Sequence, residues 1–264
     1  MKIIKKILFW VLLISYFIIA LSFVSTKRNE TLCNKINVII IDSLKNKFIN
    51  KDDINILLLS SNKNILGSQL NIVNTKEIEA LVKENTEIKN AEVFISNNGI
   101  LNVEIDQRNP IMRIINKKGY SYYIDNDGYI MFLSKKYTSH VLIANGNISE
   151  YFEIGKINRL ECDSRNENQR KNLLICDLFK LGKYINKNKF WNSQFEQIYV
   201  NKDGEFELIP RVGAHIISFG SIENYKMKLR NLKAFYLQGL NNIGWNNYDK
   251  INLKYKNQVI CTKR

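Results

Sequence analysis

One apolar run near the start of the chain limits what the whole protein can be. Residues Ile7 to Val24 contain no charged side chain, and a helix of that length spans about 27 Å, close to the hydrocarbon thickness of a bilayer. A cleaved signal peptide is the competing interpretation, because Ala20-Leu21-Ser22 resembles a cleavage site, but the apolar region of a signal peptide is shorter. We therefore expect residues 7–24 to be a single membrane anchor.

The charges beside this run predict its orientation. Three lysines precede it, whereas Lys27 and Arg28 on the other flank are followed by Glu30. The positive-inside rule then makes residues 1–28 a cytoplasmic stub plus anchor, with the amino terminus in the cytoplasm. No later stretch is apolar for long enough to span, so the rest of the chain is expected to lie outside the cytoplasm.

The charge balance of this outer part, taken as a whole, is basic. The 264 residues contain 39 Lys and Arg against 25 Asp and Glu, a net charge of +14. Five of the basic residues flank the apolar run, which leaves 34 for the rest of the chain. Such a surface favours acidic lipid, acidic wall polymer or acidic protein segments. A cytoplasmic DNA-binding role is disfavoured by the membrane anchor, and no nucleic-acid motif is present.

The four cysteines leave two interpretations open. Cys33, Cys162, Cys176 and Cys261 are widely spaced and form no C-x-x-C pair. Only two histidines could join them as metal ligands, and this spacing disfavours a zinc site. In an oxidising compartment Cys162 and Cys176 could form a disulfide. Alternatively, Cys176 is a small buried residue on a helix face.

Residues 37–109 read as one small α+β module. A buried strand at 37–41 is followed by helices that begin after the capping residues Asn50 and Asn74, and then by a hairpin with strands at 91–96 and 100–107. The alternation along the second arm predicts one face on the helices and one face in water. Pro110 cannot donate to a sheet ladder, which makes it a natural boundary.

Residues 110–264 read as a mainly antiparallel β domain with two helices. The helices are predicted at 168–185 and from Ser221 to a stop at Gly239. A final alternating strand is predicted from Lys250 to Cys261, and a strand added so late is expected at a sheet edge. The other strands are expected at 112–115, 121–124, 129–133, 141–144, 195–200, 205–210 and 215–219.

The sequence offers little material for catalysis. It lacks the common nucleophile, metal-protease and phosphate-binding motifs, and its histidines, His140 and His215, are far apart. Asp125-Asn126-Asp127-Gly128 opens like a calcium loop, but the glutamate expected at its twelfth position is Lys136. A β-turn is the better interpretation. We expect no catalytic residues, no cofactor, no metal and no small-molecule substrate.

The order of these parts resembles the FtsQ/DivIB family of bacterial cell-division proteins. Residues 48–54 resemble the start of the first helix of the family's POTRA domain, and residues 88–93 resemble its helix-to-strand step. The strand from Leu101 to Pro110 and the hairpin Tyr123-Ile124-Asp125 with Asp127-Gly128 are similar to those that end the POTRA domain and open the β domain. Two features depart from the family pattern: Asp106 stands where Glu is usual, and the tail is short.

The resemblance implies a fold, a role and a site. The fold is a single transmembrane helix, a POTRA-like β-α-α-β-β module and a β domain. The role is a non-enzymatic, single-pass divisome scaffold in the bacterial inner membrane, concentrated at the septum, which helps coordinate peptidoglycan synthesis. Its partners are FtsB/DivIC-like and FtsL-like bitopic coiled-coil proteins and other divisome proteins. Carried over by position, the partner-binding residues are Tyr225, Leu229, Tyr248, Ile251, Leu253, Lys254 and Tyr255.

Two other functions compete with this one. The first is a membrane-anchored wall-binding or hydrolytic protein, whose activity on purified wall would be lost on changing His140 or His215. The second is a POTRA protein that passes polypeptides to an outer-membrane barrel. That role normally needs repeated POTRA modules, and the sequence has one.

Overall fold

The computed structural model describes residues 6–19, 31–42, 46–61, 65–96, 98–153, 155–162 and 173–264. Contacts divide the chain into two compact units, Met1–Gln107 and Arg108–Arg264. Helix α1 covers residues 6–19, and residues 20–24 of the predicted anchor lie outside the described residues. No helix in the described ranges has both the length and the apolar character needed to cross a bilayer.

After α1, the described residues of the first unit form a three-stranded sheet and two helices. Its elements are β1 (Lys35–Ile40), α2 (Lys51–Ser60), α3 (Thr75–Lys83), β2 (Ile88–Ile95) and β3 (Ile100–Gln107). The strand order is β1-β3-β2, with β3 parallel to β1 and antiparallel to β2. The β-α-α-β-β order is the predicted one.

Asparagine side chains begin both helices of this sheet unit. The Asn50 side chain accepts from the Asp53 N–H at 2.9 Å, while the Asp53 carboxylate accepts from the Asn50 N–H at 3.0 Å. Asn74 accepts from the Glu77 N–H at 3.3 Å. These bonds satisfy donors that a helix start leaves unpaired.

The polar face of β3 is less exposed than its alternation predicts. Asn102 is only 7% exposed, because β3 is the central strand and its neighbours cover the side chain. The Asn102 amide donates to Ser96 Oγ at 2.6 Å, and its oxygen accepts from Asn37 Nδ2 at 3.0 Å. The prediction that this face meets water is therefore wrong at Asn102.

The second unit is built on a nine-stranded sheet. The strand order is β12-β11-β10-β9-β8-β7-β4-β5-β6, with five antiparallel and three parallel pairs. Its strands are β4 (Pro110–Ile115), β5 (Ser121–Asp125), β6 (Ile130–Phe132), β7 (Leu142–Gly146), β8 (Phe195–Val200), β9 (Phe206–Pro210), β10 (Ile216–Gly220), β11 (Tyr248–Asn252) and β12 (Ile260–Lys263).

Helices cover the core of this sheet. They are α4 (Leu173–Lys187), α5 (Lys189–Gln194), α6 (Tyr225–Ala234), a π-helical turn (Phe235–Leu240) and α7 (Asn241–Ile243). Leu178 and Leu181 of α4 and Leu229 and Leu232 of α6 belong to one buried cluster with the strands. Helix α5 was not predicted, because its six residues are too few to show a helical period.

A buried ion pair fixes the first hairpin of the β unit. Arg108 Nη1 lies 2.9 Å from Asp125 Oδ2, and both side chains are buried. The other Asp125 oxygen accepts from the N–H groups of Asp127 and Tyr129 at 2.9 and 2.8 Å. The acidic loop is therefore the predicted β-turn, with Asp125 as its central acceptor.

A disulfide joins Cys162 to Cys176, with their Cα atoms 5.4 Å apart. Of the two interpretations that the cysteine spacing left open, the disulfide is therefore confirmed. Cys176 lies in α4, so the bridge ties the segment before the helix to the helix itself. Cys33 and Cys261 are free thiols.

Three predictions about the end of the chain are wrong. The predicted strand from Lys250 to Cys261 is a hairpin of β11 and β12, which reverses where Asn257 adopts a left-handed backbone (φ 58°). Gly239 does not end a helix. It lies inside the π-helical turn, and α7 continues to Ile243 before Gly244 (φ 102°). Helix α6 begins at Tyr225, whereas the sequence predicted a helix from Ser221.

Candidate protein-interaction surface

The terminal hairpin places β12 at one edge of the nine-stranded sheet. It pairs antiparallel with β11, which in turn pairs parallel with β10. Leu253 extends the β10 ladder by donating its N–H to Ser218 O at 2.9 Å. In β12, Ile260 is 44% exposed and Thr262 and Lys263 are also exposed. An exposed sheet edge can accept another strand.

One hydrogen bond shows which backbone N–H groups of β12 point toward β11 and which point away from it. The Arg264 N–H donates to Asn247 O at 3.3 Å, so it points toward the β11 side. Successive residues of a strand alternate in this direction. The N–H groups of Cys261 and Lys263 therefore point away from β11, in the orientation that a further strand would use.

A shallow groove of about 460 Å³ lies beside the start of β12. One wall is formed by α6 and the π-helical turn, and the other by the hairpin turn and Val259. Its lining residues are Asn231, Ala234, Phe235, Gln238, Gly239, Asn257 and Val259. The groove therefore combines an aromatic ring and an aliphatic side chain with amide groups.

Gly239 allows the Phe235 ring to lie in this groove wall. A Cβ at position 239 would meet ring atoms of Phe235 at 2.8 Å, a distance that real Cβ atoms do not show. The Phe235 ring lies 6.0 Å from the Tyr248 ring, centroid to centroid. The π-helical turn thus connects the groove to the first residue of β11.

Basic residues surround the hairpin. Lys254 forms an ion pair with Glu205, and this hydrogen bond holds the pKa of the Glu205 carboxyl below its usual range. Lys228 donates to Phe219 O and Ser221 O at 2.9 and 2.8 Å. Burial lowers the pKa of the Lys228 amine. From residue 248 to the end, five basic residues stand against one acidic residue, Asp249.

Comparison with known protein families assigns both units. Residues 31–106 match the POTRA-like domain, and residues 109–262 match the family described as FtsQ/DivIB, C-terminal related. The second match covers more than half of the chain.

The chain belongs to the FtsQ/DivIB family. Among curated proteins, none matches it. Membership in the FtsQ/DivIB family supports a scaffold role in cell division and interaction with other division proteins.

Three of the residues expected to bind partners are in the core of the β unit. Leu229 and Ile251 have no exposed surface, and Leu253 is 2% exposed. Their side chains belong to the buried cluster under the sheet. In this member of the FtsQ/DivIB family they position α6 and the terminal hairpin.

The other four expected residues divide into two places. Tyr248, Lys254 and Tyr255 lie on the hairpin, where Tyr255 is 56% exposed. Tyr225 lies at the start of α6, where its ring makes an edge contact with Tyr184 of α4, 5.2 Å between centroids. Tyr225 therefore faces the neighbouring helix α4, whereas Tyr248 contacts Phe235.

Sequence reasoning missed β12 and the groove. Cys261 was placed at the end of a predicted strand and Ile260 inside it, and Phe235 falls within the helix predicted from Ser221 to Gly239. One local signal was present: Tyr255-Lys256-Asn257-Gln258 is a polar run with an asparagine, the residue that tolerates a left-handed backbone best after glycine. Nothing local indicated that Phe235, Gly239 and Val259 would line one groove.

Proposed function

We propose that this FtsQ/DivIB protein is a non-enzymatic divisome scaffold that binds bitopic coiled-coil partners of the FtsB/DivIC and FtsL type along β12. The observation that supports this most is the exposed β12 edge beside an amphipathic groove. In this proposal an extended partner segment pairs with the backbone of β12 and places side chains in the groove. Backbone pairing supplies affinity, and the groove selects side chains.

The chemistry of the hairpin defines the segment that would bind. Phe235 and Val259 in the groove favour apolar side chains on the partner, while the exposed Lys256 and Lys263 favour acidic ones. A partner segment that alternates apolar and acidic residues would satisfy both, since successive side chains of a strand point to opposite faces.

We further propose that residues 7–24 anchor the chain in the inner membrane, with the amino terminus in the cytoplasm and both units in the periplasm or its equivalent. Support comes from the length of the uncharged run and from the lysines before it. The scaffold would then collect at the septum and help coordinate peptidoglycan synthesis there.

Imaging of a fluorescent fusion in dividing cells, combined with depletion of the protein, tests the cellular role. We expect a septal band, and filamentous cells after depletion. Uniform membrane fluorescence together with normal septation on depletion would contradict the scaffold role.

A pair of point variants tests the location of the partner site. Tyr255→Ala should leave the free energy of unfolding unchanged, because the side chain is largely exposed, but should weaken capture of the coiled-coil partner. Leu229→Ala should instead lower the free energy of unfolding by about 2–5 kcal/mol, because it opens a cavity in the core. If the Tyr255 variant captures the partner as well as the unchanged protein does, Tyr255 is not part of the partner site.

A further inference from the structure

The helices that cover the nine-stranded sheet form a second basic surface, which the proposed partner site does not use. Helices α4, α5 and α6 together contain eight lysines and arginines and one acidic residue, Asp177. Six of the basic side chains are exposed: Lys180, Lys187, Lys189, Lys226, Arg230 and Lys233. We call these six residues the helical basic face.

Contacts between the helices make this face continuous. Lys180 of α4 lies over the Tyr225 ring of α6 with 5.6 Å from its Nζ to the ring centroid, and Lys226 lies over the same ring at 5.9 Å. Lys233 of α6 lies over the Phe190 ring of α5 at 4.8 Å. Aromatic faces attract ammonium groups by a modest electrostatic interaction, which favours positions of these three lysines on the helical basic face.

The charges of this face are not neutralised by described neighbours. No carboxylate among the described residues forms a salt bridge with any of the six side chains. By contrast, Lys250 and Lys254 near the terminal hairpin lie within 4.0 Å of Glu207 and Glu205. The helical basic face is therefore the stronger attractor for an anion.

Two observations argue against a lipid bilayer as that anion. In the described parts of α4, α5 and α6, no large apolar side chain is exposed, whereas helices that dock on bilayers insert apolar residues. The excess charge also lies far from the apolar run in sequence. Residues 31–107 contain eight basic and ten acidic residues, while residues 108–264 contain 26 and 14. Basic clusters that bind lipid headgroups lie next to a transmembrane helix or on an amphipathic helix that inserts apolar residues, and the helical basic face has neither feature.

We propose that the helical basic face binds a flexible, linear polymer of repeating phosphate groups. Lysine ammonium groups bind phosphate as point charges, and charges spread over three adjoining helices suit a chain that crosses them. Each phosphate contact releases counterions, so affinity depends on salt and on the number of contacts. This binding is independent of the β12 edge.

Long-chain inorganic polyphosphate, titrated into the full chain in non-ionic detergent, tests the proposal. We expect the logarithm of the binding constant to fall linearly with the logarithm of the salt concentration. The slope should be about −4, the value for six contacts at about −0.7 each. The triple variant Lys180→Gln, Lys226→Gln and Lys233→Gln should reduce the slope by about 2 and the affinity at low salt at least tenfold.

A matched variant controls for net charge. Lys117→Gln, Lys118→Gln and Lys135→Gln remove the same charge from exposed loops of the same unit and should leave both slope and affinity close to those of the unchanged protein. Equal losses in the two triple variants would overturn the proposal, because they would show attraction to net charge alone.

Two competing ligands complete the test. Polyglutamate that binds as tightly as polyphosphate would assign the face to acidic polypeptides and overturn the proposal. Phosphatidylglycerol added to the micelles should not displace polyphosphate. Displacement would show that the helical basic face binds anionic lipid, and it would overturn the proposal. A retained thermal unfolding temperature in both variants would show that the side chains, rather than the fold, account for any loss.

Discussion

The two units of this chain differ most in charge. The POTRA-like stretch from 31 to 107 has two more acidic than basic residues, whereas residues 108–264 have an excess of twelve basic ones. The net charge of +14 is therefore not a uniform property of the chain. Attraction to anionic partners is expected of the β unit, and a charge averaged over the whole sequence conceals this.

The two units also differ in the interactions that stabilise them. In the POTRA-like unit, apolar residues of α2 and α3 are buried and asparagine caps begin the helices. The β unit adds a buried ion pair, a disulfide and a buried histidine to its apolar core. Perturbing these three features should change the β unit alone, which makes the comparison testable.

Removing the buried carboxylate should have the largest effect. Asp125→Ala removes the carboxylate that pairs with the buried Arg108 guanidinium, and loss of one member of a buried pair costs about 3–5 kcal/mol. Urea unfolding followed by the fluorescence of Trp191 and Trp245, which lie in the β unit, should show this loss. Asp203→Ala, in an exposed turn, is the control and should change little. A stable Asp125 variant would show that the pair is not needed.

Reducing the disulfide should have the next largest effect. Cys162 and Cys176 are separated by 14 positions, and a bridge closing a loop of about 15 residues contributes about 3 kcal/mol in the chain-entropy account. Hydrogen exchange measured with and without reductant should show faster exchange in the β unit and unchanged exchange at 31–107. Equal acceleration in both units would contradict the separation of their stabilities.

Acidification should have a smaller, graded effect through His215. This side chain is 1% exposed, and its Nε2 lies 3.0 Å from the Tyr236 hydroxyl. Burial lowers the pKa of the His215 imidazole, so the unfolded chain binds the proton more readily. Stability is then fully present above the unfolded pKa of about 6.5 and falls below it, by at most about 1.4 kcal/mol per pH unit.

The free energy of unfolding of the unchanged protein, measured between pH 7.5 and 5, should decrease as the pH falls below about 6.5. The variant His140→Gln removes the exposed histidine and should keep the slope. His215→Gln should reduce it. If the free energy of unfolding of the His215 variant depends on pH as strongly as that of the unchanged protein, the dependence comes from other groups and the prediction is wrong.

Local patterns predicted much of the fold. Asn50 and Asn74 were recognised as helix caps because a short polar side chain can satisfy a backbone donor at the helix start. Residues 195–200 were predicted as a strand with the observed limits, because β-branched and aromatic residues stand between clear boundaries. The predicted turn at Asp125 is also confirmed, although the Arg108 partner that buries it gave no sequence signal.

The interaction surface was predicted less well because it depends on tertiary contacts. Ile251 and Leu253 alternate as strand residues do, and the sequence could not show that β10 and the helix layer bury both. The groove combines Phe235, Gly239 and Val259 from separate segments. The charge excess of the β unit could have been counted from the sequence, but its concentration on α4, α5 and α6 requires the contacts around Tyr225.

Binding of the coiled-coil partner to two variants of one residue tests the central claim most directly. Lys263→Pro removes an outward-pointing N–H from β12, whereas Lys263→Ala removes the charge and keeps that donor. The full chain and the extracytoplasmic segment of an FtsB/DivIC-like partner would be titrated by calorimetry, with thermal unfolding as the check on folding. We predict that the proline variant loses at least tenfold in affinity and that the alanine variant loses much less. Equal affinities in the two variants would show that the partner does not pair with the β12 edge.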